Sequence, residues 1–364
     1  MNVNYTARIE RFLVESSTDV FALIPGTNML YFTGLDFHLG KRPIIGFFGK
    51  QGVAFIIPLL EVMKFQDGSS IQAKLFAWSD EQGYQQALKD AITYLGLDKT
   101  TRIGVDGFTM RVFEWLALLE GGVNPANMSD VGRSLMMFRA IKTQEEIDLM
   151  QQAITISEHA LVNLMMWVKP GMSEKDIAAR LVEEQYKLGA HDVAFEPIVL
   201  VGERSALPHG NPGNKTLGEN DILLIDYGCK VNHYPSDITR TFLIGDVSEE
   251  IKRMYDAVYR ANAAARAIAR AGVTWGEVDK AARDVIEEAD LGPYFTHRTG
   301  HGLGLDGHEL PQIAANENDA LQVGMVFTIE PGVYIPGVGG IRIEDNMVVT
   351  EDGCISMTSY AREM

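Results

Sequence analysis

The chain has 364 residues, 46% apolar and 22% charged, a composition typical of globular proteins and a length that suits two domains. Its 32 basic residues against 49 acidic ones give a net charge of −17, which argues against a nucleic-acid backbone or an anionic membrane as partner. Two cysteines, Cys229 and Cys354, are too few for a disulfide framework. The N-terminal stretch lacks a signal-peptide layout, and no apolar run is long enough to span a bilayer, so a cytoplasmic protein is expected.

Up to about residue 130, short apolar runs alternate with helical spacing. The segments 20–24, 44–48, 53–57 and 103–105 read as strands, and 7–16, 84–95 and 109–119 as helices, which together predict an α/β domain with a mixed sheet. The polar loop YFTGLDFHLGKRP, 31–43, carries Asp36 and His38 and reads as a surface loop or as a lid over a site. A boundary falls within 124–139, and we place the domains at 1–132 and 133–364.

Thr143 and Glu146 form a capping box that opens a long helix ending before Lys169-Pro170-Gly171. Ser173 caps a second helix, stopped by Gly189. The junction GMSEKDI, starting at Gly171, recurs as GVTWGEV at Gly272, so the domain reads as two related halves, each a helix pair followed by strands, with a site where they meet.

The segment LLIDYGCKVNHYPSDITRTFLIG, 223–245, reads as a β-hairpin turning at Val231 and Asn232. Asp226 and Asp237 flank that turn symmetrically, so a regular hairpin would set their Cβ atoms ~5 Å apart. Two carboxylates facing each other among apolar residues repel unless a cation sits between them; the other reading is two solvated charges on an open sheet face. Downstream, THRTGHGLGLDGHE contains His297, His301 and His308, with glycines beside His301 that allow a close backbone approach. Gly302, Gly304 and Gly307 match a dinucleotide-binding spacing, but no helix follows, and we reject that reading. In a second hairpin, VFTIEPGVYIPGVGGIRIE, Glu330 and Glu344 stand symmetrically about Gly337. Four acids and one imidazole are too many ligands for one ion and suit two. Hard oxygen ligands favour Mn²⁺ or another first-row ion over a thiolate-type zinc site. His159, His191, His233 and Cys229 are read as structural.

These motifs resemble the pita-bread metallopeptidases, and within them the prolidase and aminopeptidase P group. The resemblance covers nearly the whole chain. It implies a creatinase-type N-terminal domain and a pseudo-twofold catalytic domain. It also implies five ligands, Asp226, Asp237, His301, Glu330 and Glu344, for two divalent ions per subunit, manganese first, with cobalt or zinc as alternatives. Hydrolysis of the bond between an N-terminal residue and proline by a metal-bridging hydroxide would follow, with Glu330 moving the proton and His308 stabilising the oxyanion. His209, His297, His308 and His38 would contact a small peptide with proline second, Arg342 would hold a ligand carboxylate, and the assembly would be a homodimer. Gln312 stands where several dipeptide-cleaving relatives carry an arginine, which puts dipeptide preference in question. A non-peptidase C–N hydrolase of creatinase type and an inactive binding module on the same fold are the alternatives.

Overall fold

The computed structural model describes residues 4–363; the outermost residues of both expected domains, 1–3 and 364, lie outside them. The chain divides into two compact units, the first ending at Phe138 and the second beginning at Arg139.

The first unit is built on a mixed six-stranded sheet in the order β4-β3-β2-β1-β5-β6. The strands are β1 (Val20–Leu23), β2 (Ile45–Gly49), β3 (Gly52–Pro58), β4 (Ala73–Trp78), β5 (Ile103–Val105) and β6 (Met128–Asp130). The three central strands β1, β2 and β3 pair antiparallel, whereas β4, β5 and β6 join in parallel. Helices cover both faces, which is why the central strands read as continuous apolar runs rather than alternating ones. On one face Phe21, Phe48 and Phe55 meet Phe12 of α1 (Tyr5–Glu15), Phe32 of α2 (Thr27–Thr33) and Phe65 of α3 (Val62–Gly68). On the other, Ala22, Phe47 and Ile56 pack with α4 (Gln85–Tyr94) and α5 (Val112–Glu120) through Leu88, Ala91 and Leu118. Sequence reading missed α2, because most of its residues are buried and no amphipathic stripe survives. It also missed β4, an edge strand whose residues are largely half-exposed. Asp36 and His38 lie exposed in the loop between α2 and β2.

After α6 (Gly132–Ala140), the second unit repeats one junction twice. Its helix pairs are α7 (Gln144–Trp167) with α8 (Glu174–Lys187), and α9 (Glu249–Ile268) with α10 (Trp275–Glu288). Thr143, Ser173, Ser248 and Thr274 cap them, each side chain accepting a hydrogen bond from a backbone N–H three residues on. Gly171, at φ +92°, donates to the Leu217 carbonyl, and Gly272, at φ +87°, donates to that of Leu321. The bridges Ser173–Thr216 and Thr274–Ala320 complete the correspondence.

Strands line the inner side of each half. The first half holds β8 (Ile198–Val201), β9 (Asp221–Tyr227) and β12 (Ile238–Ile244), with a smaller ribbon of β7 (Asp192–Val193), β10 (Cys229–Val231) and β11 (Tyr234–Pro235). The second holds β13 (Gly300–Gly302), β14 (Glu309–Ile313), β15 (Val326–Ile329), β18 (Asp345–Thr350) and β19 (Gly353–Ser356), plus the pair β16 (Gly332–Ile335) and β17 (Gly339–Arg342). Cys229 is fully buried, its thiol donating to the Ala153 carbonyl. Among the described residues no helix is long and apolar enough to cross a membrane.

Candidate metal and substrate site

The first hairpin turns one residue later than the sequence suggested. Asn232 and His233 both adopt positive φ, 46° and 73°, and so form the two-residue turn. Asp226 therefore pairs with Thr239, and Asp237 lies two residues along the partner strand. The two acids are diagonal neighbours on one face rather than directly opposed. The second hairpin keeps the expected register. Gly332 pairs with Arg342 in one sheet and Ile329 with Asp345 in the next, so Glu330 and Glu344 face each other at the bend between the two sheets.

His301 comes from β13, held between β14 and β15. A Cβ at Gly300 would lie 1.9 Å from the Thr328 carbonyl oxygen, and one at Gly302 would lie 2.1 Å from that of Leu310. The close approach these glycines permit is thus to neighbouring strands, not to a ligand. The His301 Nδ1–H donates to the Gly302 carbonyl at 3.1 Å, which leaves the Nε2 lone pair directed at Glu330 Oε1 (3.3 Å) and Asp237 Oδ2 (3.6 Å).

Asp226, Asp237, His301, Glu330 and Glu344 converge with His209, His297, His308 and Arg342 on one cavity of about 650 Å³. Ala194, Phe195, Ile198 and Pro208 supply an apolar wall. His38, which belongs to the first unit, is not among the lining residues.

The electrostatics are those of an incomplete set. Asp226 Oδ1 and Glu344 Oε1 are buried without a hydrogen-bond partner among the described residues. Burial first, then the neighbouring acids, pushes Asp237 and Glu344 well above the usual carboxylate range, and burial raises Glu330 to about 7. Burial holds His301 well below its ordinary value, so its ring is neutral. Asp237, His301 and Glu344 offer three ligand atoms all within 4.8 Å of one another. Orphaned carboxylate oxygens beside an imidazole lone pair fit a divalent cation.

Arg342 orders this set. Its guanidinium donates to Asp226 Oδ2, Thr239 Oγ1, Tyr334 Oη and the Pro208 carbonyl. Because Tyr334 Oη accepts from Arg342, its own proton goes to His297 Nε2 at 2.8 Å, and His297 Nδ1–H donates to the Arg298 carbonyl at 2.7 Å. Both ring nitrogens of His297 are therefore committed, and the ring serves as a fixed wall. Arg240, buried beside this network, donates to the carbonyls of Thr239 and Glu344 and to Asp345. Sequence reading did not single out Tyr334, Thr239 or Arg240. The only signal was their position within the two hairpins that carry the acids.

Residues 148–351 match the metallopeptidase family M24. The chain is 33% identical over 357 residues to an Xaa-Pro dipeptidase of Pyrococcus furiosus, covering 98% of each. Its fold matches a dipeptidase structure from Pyrococcus horikoshii at a TM-score of 0.89 and 35% identity, covering 98% of this chain and 99% of the other. It also matches an X-Pro aminopeptidase structure from Thermotoga maritima at 0.84 and 31%, with the same coverage. The fold is that of a pita-bread metallopeptidase. The chain belongs to the M24 metallopeptidase family.

Proposed function

We propose that this enzyme hydrolyses the bond between an N-terminal residue and a following proline, using two divalent ions held by Asp226, Asp237, His301, Glu330 and Glu344. The observation that carries this reading is the convergence of four acids and an imidazole lone pair, with two buried oxygens unpartnered, on a cavity with an apolar wall. Manganese suits the oxygen-rich set best. Bound there, the ions would polarise the scissile carbonyl and lower the pKa of a water.

The protein's own groups do the rest. Glu330, whose carboxylate lines the cavity, would take a proton from the attacking water and return it to the leaving imino nitrogen. The neutral His308, whose ring centroid stands 4.0 Å from that of His301, donates to the developing oxyanion. The pinned His297 ring, His209 and the Phe195–Ile198–Pro208 wall receive the pyrrolidine. The relatives that support this specificity are named as an Xaa-Pro dipeptidase and an X-Pro aminopeptidase, and nothing favours the non-peptidase or inactive alternatives.

The test is cleavage of Leu-Pro by Mn²⁺-loaded protein against a chelated control, with E330Q alongside. Manganese-dependent release of proline, lost in an E330Q variant that still binds Mn²⁺, is expected. Near-normal turnover by that variant would overturn the role of Glu330, and no cleavage by the loaded wild type would overturn the Xaa-Pro reading.

A further inference from the structure

Two cations line the cavity, and they differ in what they hold. Arg342 is buried and spends its guanidinium on four oxygens. Arg298 is half-buried, lines the same cavity, and among the described residues its guanidinium has no hydrogen bond, ion pair or ring contact. Its backbone is nevertheless fixed. The Arg298 carbonyl accepts from His297 Nδ1, the His297 carbonyl accepts from Arg283 Nη2 at 3.0 Å, and the Thr299 N–H donates to Asp279 Oδ1 at 3.0 Å. An uncommitted cation thus projects from a rigid strand entry into a cavity whose other charged side chains are the four acids and the committed Arg342. Gln312, on β14 opposite His301, brings no charge of its own.

With the acids assigned to the ions, the free guanidinium is the group left to pair with an anionic end of the substrate. Two residues of extended chain span at most ~7 Å, so a dipeptide presents its ammonium and carboxylate within one cavity of this size. A longer peptide would place an uncharged amide where the guanidinium stands. Guanidinium and carboxylate match as planar two-pronged partners.

We infer that Arg298 binds the free C-terminal carboxylate of the substrate and makes this enzyme a dipeptidase, an assignment that rests on the Xaa-Pro reading above. Arg298 thereby supplies the positive charge that the family resemblance would seek at position 312.

The experiment compares Leu-Pro with Leu-Pro-amide on Mn²⁺-loaded wild type, R298K and R298Q, with thermal melts to verify folding. Wild type is expected to favour the free acid by roughly 10- to 100-fold in kcat/KM, the scale of one charge-assisted hydrogen-bonded pair. In R298Q that ratio should fall toward unity through a raised KM for the acid, and R298K should retain part of it. Inhibition by free proline but not prolinamide should weaken in parallel, a binding readout independent of turnover. An acid-to-amide ratio unchanged in R298Q, or equal losses on both substrates, would overturn the assignment. Wild-type cleavage of neither substrate would overturn the Xaa-Pro reading and this inference with it, whereas wild-type cleavage of the amide alone would overturn only the inference.

Discussion

Arg342 Nη2 donates to Asp226 Oδ2 at 2.5 Å, and this bond decides which Asp226 oxygen is left for a cation, since Oδ1 then has no partner among the described residues. Lysine keeps the charge but cannot reach Asp226, Tyr334 and Thr239 from one planar group. R342K should lower Mn²⁺ affinity about 10- to 100-fold, with part of the activity recovered at high Mn²⁺. Calorimetric titration measures it; an unchanged dissociation constant would show that Asp226 needs no such support.

Without a metal, Asp237, Glu330 and Glu344 stand around His301 with no cation of their own, Asp226 being held by Arg342. Adding Mn²⁺ at a hundred times its dissociation constant should stabilise the chelated protein by about 2.7 kcal/mol, read as a rise in Tm that scales with metal concentration. In D237N or E344Q that dependence should largely disappear while the far-ultraviolet spectrum stays native. A concentration-dependent rise of full size in both variants would assign the ion elsewhere.

Gly300 has no room for a methyl group, because β13 is pressed against the Thr328 carbonyl at 1.9 Å from the Cβ position. G300A should cost about 1–3 kcal/mol and displace His301, lowering thermal stability and metal affinity together. Gly307 meets nothing within 4 Å, and G307A should stay within about 0.5 kcal/mol of wild type. Equal melts for the two variants would contradict the packing argument.

The N-terminal unit carries a pH-dependent tie. The Asp19 carboxylate accepts bonds from the Arg102 side chain and backbone N–H, joining the starts of β1 and β5, and these bonds hold its pKa down to about 2. A lowered folded pKa contributes stability that is present above the unfolded carboxylate value of ~3.9 and lost as pH falls through about 2. The pair is largely exposed, so solvent screening keeps its contribution small. D19N should melt slightly below wild type at pH 7 and converge with it near pH 2. A constant difference across that range would rule out the linkage.

How far the sequence carries depends on what fixes each feature. Glu330 and Glu344 were legible because their hairpin is regular and its glycine-rich tip marks its own centre. Asp226 and Asp237 are legible as one carboxylate pair, but a turn placed one residue early shifts the pairing by two, and only the positive φ of Asn232 and His233 marks the true turn. α2 hid because burial on all sides erases amphipathic period. Arg298 and Tyr334 were silent because their roles lie in what each does or does not bond, and hydrogen bonds across 37 residues, such as that from Tyr334 to His297, leave no local pattern.

The hairpin that carries Glu330 and Glu344 has one further consequence. Its two arms are locked by the pairing of Ile335 with Gly339 at the tip, of Gly332 with Arg342 midway, and of Ile329 with Asp345 beyond the bend. The distance between the acids is thus set by the backbone ladder and not by the length of the tip. Residues grafted between Ile335 and Gly339 leave the acids facing each other, so the tip can carry tags or probes without altering their spacing. A single residue deleted from either arm turns one acid to the opposite face of the ribbon, and the hairpin is then left with one carboxylate toward the cavity.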